Sequence, residues 1–505
     1  MEQVIETIVG YLWSDALVYL ALIVGIYFTV ITRGIQFRYF REMFRVIREK
    51  KEDSTGISPR QALFMALAGR IGVGNIAGVA FAIGMGGPGA IFWMIVMGFL
   101  GSALAFSEST IAQLYKFKEG DQYYGGVHYY IDRGLKLKPF AAISALILIV
   151  AYTVMMPGIQ MNTIATTFKA TFDIPPYVSG IFVTIGIGLI IWGGVKSIAR
   201  AAEKIVPTMS GLYVLAMVVL LIAHYDQIPA TFMLIIKSAF GMDAVFGAII
   251  GHAVNWGVRR AVFASAAGAG ESTFASAAAM TSHPVKQGLI QAFSIFFETA
   301  FILTSSGLMV LITGMYNVTP PGSSTPLVEN VPGVAAGAEW TSLALQTTFH
   351  QAGSWLISLA ILVFAFTTLM TYYYIAESGI SYFDRKGKYP IIKTIAKIAS
   401  LIALFMGSIM NTKTLWALGD ITFGSMAYVN LITLVLLSKP LMKALKDYDY
   451  QRKLGLDPVF DPRKAGIQDA GYWEAYADKK NASNSAVINN DQINSIKKNS
   501  DRKSA

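Results

Sequence analysis

Residues Ala68-Gly69-Arg70-Ile71-Gly72-Val73-Gly74-Asn75-Ile76-Ala77-Gly78 put four glycines, an arginine and an asparagine inside an apolar run from about Ala62 to Met85. A glycine in a helix interior costs about 1 kcal/mol relative to alanine. In hydrocarbon, backbone that leaves the helix must meet protein or line a cavity. The stretch is therefore expected to break a membrane helix and turn N–H and C=O groups towards a ligand. Close packing on a neighbouring helix through small residues is the competing reading. Half-helix N-termini suit a carboxylate, and half-helix C-termini suit Na+ or an ammonium group. An amino acid carries both charges.

A second weak point is Phe263-Ala264-Ser265-Ala266-Ala267-Gly268-Ala269-Gly270-Glu271-Ser272, with small residues and two close glycines in another apolar segment. Polar side chains within such segments are costly without partners, so each one counts. Asn75 is a cation ligand and amide donor, or a helix cap. Gln160 and Asn162 follow Met156-Pro157-Gly158, where Pro157 kinks its helix. Gln160 is placed to reach a substrate carboxylate or amine, or to bridge helices. Thr367 and Thr368 are adjacent hydroxyls in Phe364-Ala365-Phe366-Thr367-Thr368. They can ligate Na+ together with carbonyls of another helix, or bond back to the preceding turn. Asp420, Glu377, Glu298 and Glu108 are intramembrane carboxylates for proton relay, cation binding or pairing with Arg70, Arg259 or Arg260.

No enzyme pattern accompanies these residues. The five histidines are scattered, and no His-x-x-x-His, Gly-x-Ser-x-Gly or phosphate loop is present. Gly72-Val73-Gly74-Asn75 has no Rossmann unit around it. Cysteine is absent, which removes disulfides and thiolate chemistry. No ATP-binding cassette motif appears, so pumping must draw on a gradient, and no cofactor is expected beyond a coupling ion.

The elements that position these residues are membrane helices. The chain has 505 residues, is 54% hydrophobic and 14% charged, and has a mean hydropathy of +0.51. Its apolar blocks of about 20 residues match a hydrocarbon core about 30 Å thick. The expectation is an all-α polytopic membrane protein with eleven spans. They lie at about 15–33, 61–86, 89–115, 140–168, 177–195, 205–224, 245–280, 286–314, 353–383, 391–410 and 415–438. The start carries Glu2, Glu6 and Asp15 and no Lys or Arg before Arg33, unlike a cleavable signal peptide.

The net charge of +10 sits in loops beside apolar spans, which indicates positive-inside topology rather than nucleic-acid binding. Connections 33–60, 116–138, 196–204 and 385–390 are basic and fall on one side. Residues 1–14 and 315–352 lack Lys and Arg and fall on the other. The N-terminus is then outside and the C-terminus cytoplasmic, in a multi-pass protein of the cell membrane. Setting the first span aside leaves five and five, with a break in the first helix of each half. Paired breaks in inverted halves mark a secondary transporter's midplane site. The expected units are residues 1–60 (extra helix and basic loop), 61–224 (first repeat), 225–440 (second repeat, with outer loop 315–352) and 441–505 (a largely disordered cytoplasmic tail). A short helix is expected over 339–350.

Gly74-Asn75-Ile76-Ala77-Gly78-Val79-Ala80, Gly86-Gly87-Pro88-Gly89-Ala90, Phe92-Trp93-Met94 and Gly125-Gly126-Val127-His128-Tyr129-Tyr130-Ile131 resemble the alanine/glycine:cation symporter family. So do His283-Pro284-Val285-Lys286-Gln287-Gly288, Phe364-Ala365-Phe366-Thr367-Thr368 and Trp416-x-x-Gly419-Asp420. The resemblance runs in order from about residue 10 to 440. It implies a leucine-transporter-type 5+5 inverted repeat with one extra N-terminal helix, and sodium-coupled uptake of a small amino acid. It implies a substrate pocket of Val73, Gly74, Asn75, Gln160, Phe263, Thr368, Met370 and Tyr372. The wider fold implies a sodium site of Ala68, Ile71 and Phe364 carbonyls with Thr367 and Thr368 hydroxyls. The family usually has Arg-Gly-hydrophobic-Phe-Ser-Asn-Glu-Ala-Gly where this chain has Arg260 to Gly268. Ser265 and Ala266 thus replace its Asn and Glu, which fits a divergent subgroup with another small amino acid as substrate.

The leading expectation is a Na+-driven importer of a small neutral amino acid such as alanine or glycine, acting as a monomer in lipid by alternating access. The alternatives are the same fold driven by protons through Asp420 or a Glu, a non-transporting amino-acid sensor, or a channel.

Overall fold

A computed structural model describes residues 2–50, 55–120, 122–384 and 388–482. Residues 51–54 and 385–387 of the basic connections, and 483–505 of the tail, lie outside the described residues. Helices α1 (Glu2–Leu12) and α2 (Asp15–Ile31) make one apolar path from Val4 to Ile31. Helix α3 (Pro59–Arg70) starts at a reciprocal cap between Ser58 and Gln61, which satisfies two otherwise orphaned N–H groups. A 3-10 turn, Val73–Asn75, leads into α4 (Ala77–Gly86), and the path bends by 61° at this break.

Helix α5 (Gly89–Leu114) runs unbroken. Helices α6 (Lys138–Val150) and α7 (Met156–Phe172) are joined by a π turn at Ala151–Met155. Pro157, at the start of α7, has no N–H for the ladder, so the expected kink takes this form. Then come α8 (Pro176–Ile191) and α9 (Gly194–Ala223). Helix α10 (Ile250–Ser265) and the short α11 (Ser272–Ala278) flank the second break. Between them Ala266, Gly268 and Gly270 have φ of 51°, 85° and 87°, left-handed values that end a helix.

Helices α12 (Pro284–Phe297) and α13 (Thr304–Ile312) are linked by a π turn at Glu298–Leu303. Helix α14 (Ala338–Phe349) is the one expected over 339–350. Helices α15 (Gln351–Phe383), α16 (Pro390–Ile409) and α17 (Thr412–Leu436) follow. Among the described residues, eight helices are long and apolar enough to cross a membrane, and the bent α3–α4 path makes a ninth. Helix α8 is apolar but shorter, at 16 residues.

Helix α5 is the packing centre, lying against α10 and α12. A Cβ on Gly288 of α12 would stand 2.1 Å from Thr110 Oγ1 of α5. Such close approach replaces a hydrophobic drive between helices that lipid does not supply.

Over 441–482 the expected disorder of the tail needs correction. Helix α18 (Ser438–Lys453) and a further helical stretch at 471–482 pack on the end of the molecule where α3 begins. Tyr448, Phe460 and Trp473 are fully buried there. An aromatic residue every dozen or so positions gave this segment an apolar face that its polar average composition concealed.

Candidate cation and substrate site

Helix α3 ends at Arg70, so its last carbonyls have no partner within the helix. Helix α15 crosses this end without interruption and presents hydroxyls to it. Thr368 Oγ1 lies 2.8 Å from Ala68 O, 3.5 Å from Ile71 O and 3.0 Å from Phe364 O. Thr367 Oγ1 donates to the same Phe364 carbonyl at 2.9 Å. The structure thus gathers Ala68, Ile71, Phe364, Thr367 and Thr368 at one crossing, all buried. A single hydroxyl hydrogen serves only one of the three carbonyls facing Thr368 at a time. The set is neutral, oxygen-only and next to the negative end of a helix dipole, which suits a hard monovalent cation.

The substrate positions adjoin it. Gln160 Oε1 accepts from Val73 N–H at 3.2 Å, and Gln160 Nε2 donates to Tyr372 Oη at 3.2 Å. Tyr372 packs edge-on against Tyr152, with ring centroids 5.0 Å apart. A Cβ on Gly74 would lie 3.2 Å from Phe263 Cδ1, so the two breaks touch. Phe263 in turn stacks on Trp416, centroid to centroid 5.2 Å. Arg70 also ties the breaks together. Its Nε donates to Ser265 O at 2.8 Å and its Nη1 to Gln291 Oε1 at 3.0 Å, with Ser294 Oγ beside it.

Two expected site residues behave differently. Asn75 Nδ2 donates to Arg70 O at 2.7 Å, so its amide caps the broken end of α3. Met370 is fully buried but stands two residues from both Thr368 and Tyr372, on the opposite face of α15. Ser265 Oγ donates to Ala261 O of its own helix at 2.8 Å.

The intramembrane carboxylates separate clearly. Asp420 Oδ2 pairs with Arg259 at 2.5 Å and Arg260 at 3.1 Å, which settles its partners and removes it as a free proton carrier. Glu377 lies 3.6 Å from Lys393. Glu108 accepts from Asn430 Nδ2 at 2.9 Å and from Ser272 Oγ. Glu298 accepts from Thr299 Oγ1 at 3.0 Å. Sequence reasoning missed Glu271, whose carboxylate lies over Gly69. Its signal was the one acidic residue in the second glycine-interrupted stretch.

A cavity of about 230 Å³ lies on the side of the site where α14 sits, lined by Ala77, Phe81, Thr163, Gln346 and Trp416 among others. Phe81 packs on Trp416 at 4.9 Å, and the Trp416–Phe263 stack closes the floor. The opposite side is shut by the C-terminal segment. Trp473 Nε1 donates to Gln113 O at 2.7 Å, Lys286 pairs with Asp457 at 2.7 Å and Lys116 Nζ donates to Ala279 O at 2.7 Å. Burial pushes the Lys116 ammonium well below the usual lysine range. The rings of Tyr123, Tyr472 and Trp473, at 4.4, 4.4 and 5.3 Å, favour its charged form.

Comparison with known proteins places most of the chain among similar sequences and folds. The family model described as the Sodium:alanine symporter family matches residues 1–462. YrbD of Bacillus subtilis is 44% identical over 474 residues, covering 94% of this chain and 98% of that protein. A "Sodium/proton-dependent alanine carrier protein" of Bacillus sp. strain PS3 is 44% identical over 432 residues, covering 86% and 97%. Among solved structures, MhsT in complex with L-phenylalanine superposes with a TM-score of 0.51 at 13% identity, covering 83% of this chain and 95% of that one. The overall architecture is that of a mostly helical polytopic transporter.

Proposed function

Because the chain belongs to the Sodium:alanine symporter family, we propose that it imports a small neutral amino acid, alanine or glycine or a close relative, together with Na+ by alternating access. The observation that carries the reading is the Thr368 hydroxyl at the broken end of α3, facing three carbonyls from two helices. Sodium binds these carbonyls and the two Thr hydroxyls. The substrate carboxylate takes N–H groups of the first break, beside Gln160, and its side chain faces Phe263 and Tyr372.

The proposed architecture has eleven spans. These are the α1–α2 path, the broken α3–α4 and α10–α11 paths, α5, α6–α7, α8, α9, α12–α13, α15, α16 and α17. The α1–α2 path stands outside a five-plus-five inverted repeat. The N-terminus is outside, so the cavity beside Trp416 is the external vestibule. One sodium ion entering through about 100 mV gains roughly 2.3 kcal/mol, enough for about fifty-fold accumulation of a zwitterion.

Labelled alanine, glycine and glutamine uptake into proteoliposomes, with choline replacing Na+ at fixed pH, tests this. Uptake should depend on Na+. Undiminished uptake without Na+, driven by a pH gradient, refutes sodium coupling. Proton coupling is the second reading, favoured by the name of the strain PS3 relative, "Sodium/proton-dependent alanine carrier protein".

A further inference from the structure

Beneath the Thr368 crossing lies a small cavity of about 10 Å³, bordered by Gly69, Arg70, Glu271, Thr371 and Tyr374. That volume is about what one water molecule needs, and a bare sodium ion is no larger. Thr371 follows Thr368 by about one helical turn, on the side of α15 that leads to the closed basic end. Glu271 is 7% exposed, and its Oε1 is buried without a hydrogen-bond partner. This oxygen and Thr371 Oγ1 lie 2.8 and 3.2 Å from the point a Gly69 Cβ would occupy. Glycine at position 69 is thus what admits the carboxylate to the broken end of α3.

The charge balance points the same way. Arg70, Glu108, Glu271 and Glu298 are all buried around the two breaks. Among the described residues, Arg70 makes its hydrogen bonds to Ser265, Gln291 and Ser294 and ion-pairs with none of the three carboxylates. Three ionised carboxylates against one guanidinium leave two negative charges uncompensated in a dry interior, which is prohibitive. Protons or cations must make up the difference. Glu108 has two hydrogen-bond donors and Glu298 has one, at Oε2; Oε1 of Glu298 and Oε1 of Glu271 have none, and of the three carboxylates Glu271 is the one that borders the void. The groups that face Glu271 are Arg70 from α3, Glu108 from α5, Tyr152 from the π turn, and Tyr372 and Tyr374 from α15.

We propose that Glu271 is the anionic ligand of a second coupling-cation site, with Thr371 beside it, filled by a proton or a sodium ion that travels with the substrate. The site rests on the symporter reading above and lies on the cytoplasmic side of the Thr368 site.

The test is the cation-to-alanine ratio of full-length protein in proteoliposomes. Reversal potentials give net charge per alanine, 22Na+ uptake gives sodium, and an internal pH dye gives protons. Wild type should carry two cations per alanine, and Glu271→Gln should carry one. Loss of dye acidification in that variant identifies the second cation as a proton, and loss of half the 22Na+ uptake identifies it as sodium. Glu271→Asp should keep two, at a cation concentration raised several-fold. A wild-type ratio of one overturns the proposal without any variant. A ratio of two that persists in Glu271→Gln overturns it as well. If wild type takes up no amino acid with Na+, the symporter reading fails instead.

Discussion

Replacing Thr368 by valine keeps the side chain's shape and removes the one oxygen that faces both α3 and the preceding turn of α15. A hydrogen-bonding group that serves a charged partner contributes about 1.5–3 kcal/mol. Losing Thr368 Oγ1 should therefore raise half-saturating sodium for alanine uptake by about 10- to 150-fold. The variant also leaves Ala68 O, now 2.8 Å from the hydroxyl, without that donor. The sodium-free protein should lose about 1–3 kcal/mol of stability for this reason alone. The informative stability measure is thus the sodium-dependent rise in Tm, compared within each variant. At sodium one hundred times the wild-type Kd, binding stabilises by about 2.7 kcal/mol; a hundredfold weaker site would give only about 0.4 kcal/mol. Half-saturating sodium within threefold of wild type, together with an intact sodium-dependent rise in Tm, would refute the assignment of this site.

Gly72→Ala would place a Cβ 2.8 Å from Thr368 Oγ1 and 3.1 Å from Gln160 Oε1; sodium activation and substrate KM should both worsen at least tenfold in uptake assays. Asp420→Asn strips the charge from the partner of two buried guanidinium groups and should cost about 3–5 kcal/mol, seen as a fall in Tm with and without sodium. The docked C-terminal segment should loosen in acid. Burial holds the His283 imidazole below its ordinary value despite Asp447 beside it. The docked state therefore prefers the neutral ring, and its stabilisation is present above about pH 6.5 and lost as pH falls below that. Protease cleavage within 438–482 should accelerate between pH 7.5 and 5.5, and His283→Gln should flatten that profile.

The breaks were legible because glycine clusters and a lone Arg are costly in apolar helices, and both stretches proved to be interrupted. Gln160 and the Thr367–Thr368 pair were legible for a similar reason: few polar side chains occur in these spans, and those present had to face one another. The choice between ligand and cap at Asn75 was not legible, because it turns on whether the amide meets Arg70 O, a contact five residues away across a bend. The partners of Asp420 depended on how α10 and α17 pack, which no local pattern specifies. The folding of 441–482 was hidden because Tyr448, Phe460 and Trp473 are spaced too widely to make an apolar block. Each is nevertheless buried against a surface built from distant sequence.

The coupling of ion and substrate follows from how little protein separates them. Thr368 Oγ1 and Gln160 Oε1 both lie within 3.1 Å of the point where a side chain of residue 72 would start. Gln160 holds the Val73 N–H, and Thr368 faces the Ile71 carbonyl, so in the proposed site adjacent peptides of one short break would serve the two ligands. A cation that draws in the Ala68, Ile71 and Phe364 carbonyls fixes the orientation of the next N–H groups, which are those offered to a carboxylate. The cost of ordering the break is then met largely by the first ligand, and the second binds to a chain already in place. Linkage makes the effect reciprocal, so alanine should tighten sodium binding by the same factor as sodium tightens alanine. The missing side chains at positions 69, 72 and 74 let Glu271, then Thr368 with Gln160, and then the Phe263 ring approach the backbone of the break.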